Sequence, residues 1–180
     1  MKQARTLDDR RVASCLKSVA NETEKAMILL SIKAGLRAAE IADLTWDRID
    51  FEGNILLLTE TKGGKPRSLP INAQLREALL ALYAHRGKSE RVIIGPFGRP
   101  LSANSVAQWF RGFYVNRMGW EGFSSHSGRR TFVTKAARAI IEAGGTLKDV
   151  QSMVGHADMK TTSRYIDTNE DAQKRVVDMI

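Results

Sequence analysis

Residues 26–32 read Ala-Met-Ile-Leu-Leu-Ser-Ile and offer no charged face at helical spacing. A helix that is apolar all round has no side to give to water. It must sit at the centre of a core, with other elements packed about it. Asn21 stands before the run as a helix start, and Gly35 follows it as a C-terminal stop. A chain of 180 residues, 43% of them hydrophobic, is long enough to wrap such a helix within one domain.

The segments around this run have their own periods. Thr6 with Asp9 has helix-start spacing, and Val12, Cys15, Leu16 and Val19 then fall on one face. Beyond Gly35 a short helix carries Ile41 and Leu44. From Trp46 the helical period gives way to strand and turn. Asp50-Phe51 is a strand, Glu52-Gly53-Asn54 a turn and 55–59 a strand; Thr61-Lys62-Gly63-Gly64-Lys65 is a second turn, and 67–70 a third strand. Helices then resume. Leu75, Ala78, Leu79 and Leu82 share a face, and that helix ends at His85-Arg86-Gly87. Ser102 caps a helix with the stripe Val106, Trp109, Phe110 and Phe113, which suits a core better than a base-stacking platform. A helix from His126 to about residue 142 is broken by Gly144-Gly145, and Thr146 with Asp149 caps another that ends near Gly155. A short helix carrying Tyr165 and an amphipathic one from Asn169 close the chain. The expected class is α+β, mainly α-helical, with a small three-stranded antiparallel sheet.

Charge narrows the partner. Lys and Arg number 28 against 20 Asp and Glu, giving +8 and a pI near 9.9. Such a balance favours a polyanion, nucleic acid ahead of a membrane surface. Cys15 is the sole cysteine, so an internal disulfide and a Cys-based zinc site are both excluded. The sequence has no apolar run of transmembrane length and no signal-peptide pattern at Met1-Lys2-Gln3, which gives a cytoplasmic reading without membrane contact.

The chemistry-bearing residues gather late in the chain. His126 and Arg129 are three apart near a helix start, on one face, where free N–H groups and the helix dipole favour phosphate. A guanidinium holds two phosphate oxygens at once and stays charged at any working pH. His156 follows a glycine at a helix end, and Tyr165 comes nine residues later. A phenol has a pKa of about 10, so as a nucleophile it needs cations that stabilise the phenolate. His126 and His156 are thirty residues apart with no Asp/Glu pair beside either at a ligand spacing, and Gly63-Gly64-Lys65-Pro66 lacks the Walker pattern. What stays open is phosphoryl transfer through a covalent enzyme–phosphate link, with no cofactor, metal or ATP.

Five segments stand in order: Gly35-Leu36-Arg37-Ala38-Ala39-Glu40, Thr61-Lys62-Gly63-Gly64-Lys65, His126-Ser127-Gly128-Arg129, Val154-Gly155-His156 and Thr161-Thr162-Ser163-Arg164-Tyr165. Together they resemble the tyrosine recombinases, also called the phage integrase family. The resemblance covers nearly the whole chain. It implies the catalytic-domain fold of that family over residues 1–180, with the N-terminal core-binding domain absent. It also implies roles. Tyr165 attacks the scissile phosphate and forms a 3′-phosphotyrosyl link. Arg37 and Arg129 clamp the non-bridging oxygens. Lys62 protonates the departing 5′-oxygen, with Lys65 a rival for that task. His126 assists proton transfer at the nucleophile, His156 hydrogen-bonds the phosphate, and Glu40 supports the arginines from behind.

The implied function is site-specific recombination of double-stranded DNA in the bacterial cytoplasm, at the nucleoid. Self-association into a tetrameric synapse would run through the C-terminal helix with Val176, Val177 and Ile180. The competing readings are a type IB topoisomerase-like nicking–closing enzyme and a non-catalytic DNA-binding relic. Two positions depart from the family pattern. Gly128 stands where an apolar side chain is usual, and Arg130 where histidine is frequent.

Overall fold

The computed structural model describes residues 4–59, 66–86, 89–155, 174 and 177–178. The turn expected around Lys62, the segment with His156 and Tyr165, and most of the stretch expected to form two closing helices lie outside the described residues.

Two helices open the chain, α1 (Asp9–Ser18) and α2 (Glu22–Lys33). The side chain of Asp8, and not that of Thr6, caps α1 by accepting from the Arg11 N–H at 2.8 Å. The expected start falls two residues early because the N–H of Leu7 is committed elsewhere, to Thr131 Oγ1 at 2.8 Å. That bond pins the approach to α1 against a later helix. Asn21 caps α2 through the Glu24 N–H, and every residue from 26 to 32 is buried. Gly35 ends the segment at φ +64°, and a Cβ there would come within 2.5 Å of the Phe132 ring, so the site excludes a side chain for two reasons.

Arg37 then leads into α3 (Ala38–Asp43), and a 3-10 turn at Trp46–Arg48 leads into the sheet. Strands β1 (Ile49–Asp50), β2 (Ile55–Leu58) and β3 (Arg67–Pro70) pair antiparallel in that order. Leu56 faces Ile49 on one side and Leu69 on the other, and Leu58 faces Arg67. Strand alternation sends Leu56, Leu58 and Leu69 inward and leaves Ile55 and Leu57 exposed. Phe51, expected at the end of the first strand, lies in the turn. Asp50 shapes that turn by accepting from the N–H groups of Glu52 and Gly53.

Helices α4 (Ala73–Arg86), α5 (Ala103–Arg111), α6 (Ser125–Glu142) and α7 (Leu147–Val154) complete the fold. Ser102 caps α5 and Thr146 with Asp149 forms the capping box of α7, as their spacing predicts. Helix α5 runs on into a π-helical segment, Gly112–Arg117, which no local pattern announces. Its Arg117 closes on Glu24 at 2.5 and 3.0 Å. Phe110 and Phe113 are buried in the core, and Trp109 packs against it. Helix α2 touches α1, α3, α4 and α6, so the apolar run is the hub of the molecule. Burying each of its large side chains is worth about 1.5–3 kcal/mol. A second, smaller cluster of Val133, Val150 and Val154 joins α6 to α7. Among the described residues no helix is long and apolar enough to cross a membrane.

Candidate active site

Glu40 is the anchor of a polar cluster at the edge of the core. It lies in the first turn of α3, only 3% exposed. Its Oε2 accepts from the Arg37 N–H at 2.8 Å, which closes the first turn of α3. Its Oε1 lies 3.0 Å from Arg37 Nη1 and 2.9 Å from Arg67 Nη1. Arg129 Nη1 stands 3.8 Å from Oε2. Three guanidinium groups thus share one carboxylate, a surplus of two positive charges; Glu40, Arg67 and Arg129 are buried, and Arg37 is the one of the four that is partly open to solvent. Burial pushes the Glu40 carboxyl up, but the hydrogen bonds from Arg67 and the Arg37 N–H outweigh it. With the charges of Arg67 and Arg129 they hold the group below the ordinary glutamate value.

Arg129 lies one turn into α6, whose start is fixed by the Ser124 hydroxyl and by Ser127, which accepts from the Ser124 N–H. Its Nη1 donates to the Gly35 carbonyl and its Nη2 to the Val154 carbonyl, each at 2.6 Å. One side chain therefore joins the turn before Arg37 to the last turn of α7. The left-handed conformation of Gly155, φ +60°, then turns the chain immediately before position 156.

Of the six expected site residues, the structure brings Arg37 and Arg129 together on Glu40. His126 lies one turn before Arg129 on α6, exposed, with its N–H donated to Ser124 Oγ. Lys62, His156 and Tyr165 lie outside the described residues, but the chain on both sides of Lys62 and before His156 is placed: β2 and β3 flank the first, and Gly155 precedes the second. Gly128 has a packing reason. A Cβ there would sit 2.2 Å from Ser31 Oγ on α2, so this glycine lets α6 approach the central helix. Arg130 donates to the Ala4 carbonyl at 2.7 Å.

Sequence reasoning missed Arg67. Its side chain is 4% exposed and ion-paired to Glu40. The available signal was alternation: Leu69 points inward, so a residue two before it on the same strand points inward too. A charged residue at such a position needs a buried partner.

The chain belongs to the phage integrase family, whose model matches residues 6–172. Tyrosine recombinase XerC of Azotobacter vinelandii is 32% identical over 170 residues, covering 89% of this chain and 55% of that protein. XerC of Stutzerimonas stutzeri is 34% identical over 146 residues, covering 79% and 47%. The chain spans about half the length of these curated relatives. Among solved structures, the Tn1549 transposon integrase in complex with a circular intermediate DNA aligns with a TM-score of 0.82 at 19% identity, covering 100% of this chain and 67% of that one. The XerA recombinase aligns at 0.77 and 18% identity, covering 99% and 66%. The mostly helical fold with its three-stranded sheet is therefore the fold of those recombinases.

Proposed function

We propose that this chain is the catalytic domain of a site-specific recombinase that cuts and rejoins double-stranded DNA. The observation that carries the reading is the convergence of Arg37 and Arg129, from opposite halves of the sequence, on the buried Glu40. Phosphoryl transfer needs cations held where charge builds on the phosphate, and a pre-fixed guanidinium costs no reorganisation at that moment. In this reading Arg37 and Arg129 grip the non-bridging oxygens. Tyr165 attacks the phosphorus and displaces the 5′-oxygen, giving the 3′-phosphotyrosyl link. Lys62 delivers a proton to that oxygen, His126 moves the proton of the tyrosine, and His156 hydrogen-bonds the phosphate. The phosphodiester energy stays in the link, so rejoining needs no ATP. The relatives named as tyrosine recombinases, and the integrase bound to a DNA intermediate, support DNA as the substrate. The surplus of basic residues supports it independently. We further propose that the domain works in the cytoplasm, on nucleoid DNA, as a tetrameric synapse assembled through its C-terminal helix.

The test uses a pool of nicked duplexes of random sequence. Wild-type protein should form a covalent adduct that survives denaturation, and sequencing the trapped DNA should give one enriched site. Tyr165→Phe should give none. Arg37→Ala and Arg129→Ala should bind the enriched site yet cleave it roughly 10²–10³-fold more slowly. No adduct, or an adduct that survives Tyr165→Phe, rejects the reading. An adduct without an enriched site identifies a nicking–closing enzyme instead.

A further inference from the structure

Arg67 opens β3, the strand that leaves the segment carrying Lys62. Its guanidinium is buried and reaches two other parts of the site. Nη1 is 2.9 Å from Glu40 Oε1, and Nε donates to the Met153 carbonyl at 3.0 Å. Arg129 takes the next carbonyl, that of Val154. The last carbonyls of a helix have no partner within it, and cations are favoured at that end of the dipole. Two guanidiniums therefore cap α7 side by side. Gly155 wraps closely on the first of them, since a Cβ there would lie 2.9 Å from Arg67 Nη1. Arg67 Nη2 is buried and has no hydrogen-bond partner among the described residues. A charged donor left unmatched in the interior is costly, so the remaining contacts must over-determine this placement.

We infer that Arg67 is a positioning residue for strand cleavage: it fixes Glu40, and with it Arg37 and Arg129, and it sets the turn at Gly155 from which the chain reaches His156. It contacts no reacting atom itself. The inference rests on the reading of the chain as a DNA-cleaving enzyme. It assigns Arg67 to the phosphate-gripping side of the site and not to the acid that serves the leaving group, although β3 is continuous with the Lys62 segment.

The test compares wild type with Arg67→Lys, Arg67→Met and the double variant Arg67→Met/Glu40→Gln, which removes the Arg67–Glu40 ion pair as a unit while Arg37 and Arg129 keep their charges; a thermal melt first shows that each variant is folded. Two readouts are taken. In DNA-free protein, amide hydrogen exchange at residues 151–155 should quicken in Arg67→Met and in the double variant, while α4 and α5 keep their protection. On a nicked duplex trapped by wild type, single-turnover cleavage should fall roughly 10²-fold in both, the scale of a small misplacement of reacting groups, with DNA affinity unchanged. Arg67→Lys, which keeps the charge but not the fork, should fall between. Replacing the bridging 5′-oxygen by sulfur makes a leaving group that needs no acid, and it should not restore the rate. Unchanged exchange with an unchanged rate overturns the inference. A double variant with wild-type cleavage also overturns it, because Arg67 would then only neutralise Glu40. Rescue by the sulfur substrate overturns it as well, by placing Arg67 behind the acid. If wild type itself traps no duplex, the DNA-cleaving reading fails, and hydrogen exchange alone decides whether Arg67 holds the end of α7.

Discussion

Helix α2 and the Glu40 cluster lie in one fold, and both are buried, but they are held in opposite ways. Helix α2 packs against four other helices, and the side chains of its buried residues 26–32 are apolar at every position but Ser31. A neighbour of similar volume substitutes there at modest cost. Around Glu40 each contact is between named atoms. Arg37, Arg67 and Arg129 come from three separate stretches and meet two carboxylate oxygens. There a missing partner leaves a charge in the interior, and no neighbour can relax into its place. The core thus tolerates variation that the cluster does not, which suits the phosphate-gripping role proposed for the cluster.

The largest effect should come from removing the cluster's carboxylate. Glu40→Gln keeps the shape and leaves the arginines without their counter-charge, and it should cost about 3–5 kcal/mol, the range for one lost partner of a buried pair. Urea denaturation at neutral pH measures it. The pH dependence supplies a second check. The folded pKa of Glu40 is lowered from 4.5. Its contribution is therefore complete above that value and is lost as the pH falls through the lower, folded one. The gap between wild type and Glu40→Gln should close in that acid range. A variant as stable as wild type at neutral pH would remove the contrast between core and cluster.

The second effect lies where the two regions touch. Gly128 packs on Ser31 of α2, one residue before Arg129. Gly128→Ala gains about 1 kcal/mol of helix propensity. It also forces a methyl to within 2.2 Å of Ser31 Oγ and 2.8 Å of Ser31 Cβ, and such overpacking costs about 1–3 kcal/mol. A net loss of thermal stability is expected, with recovery in Gly128→Ala/Ser31→Gly. Failure of the second change to recover stability would mean that α6 is not held at this distance by Ser31.

The same division explains what the sequence discloses. Features set within a few residues were readable: the all-round apolar run of α2, the stop at Gly35, the Ser102 cap and the Thr146–Asp149 box. Where local pattern erred, a distant bond had intervened, as when Thr131 takes the Leu7 N–H and moves the start of α1 to Asp8. The cluster was readable only in part. Arg37 and Arg129 stood out because they sit in motifs, whereas Arg67 sits in none. Its partner carbonyl at Met153 is 86 residues away in the chain, and only the fold makes them neighbours. Gly128 looked like a departure from pattern until Ser31 supplied the partner that a side chain there would strike.

The smallest expected effect separates two unmatched donors. Tyr114 is fully buried, ringed by Phe110, Phe113, Trp120 and Phe123, and its hydroxyl has no hydrogen-bond partner among the described residues. Burial, with a smaller contribution from Cys15, pushes its pKa well up, so it stays neutral at any working pH. A neutral hydroxyl without a partner contributes only its desolvation cost, so Tyr114→Phe should stabilise the protein by about 1 kcal/mol, read as a raised Tm. The proposed cleavage of DNA should be untouched. Arg67 Nη2 is unmatched too, but it belongs to a charged group whose other two nitrogens are both engaged. The same logic of deletion therefore reverses: apolar replacement helps at Tyr114 and harms at Arg67. If Tyr114→Phe destabilises instead, the hydroxyl has a partner, and the aromatic core is held by specific atoms in the way the cluster is.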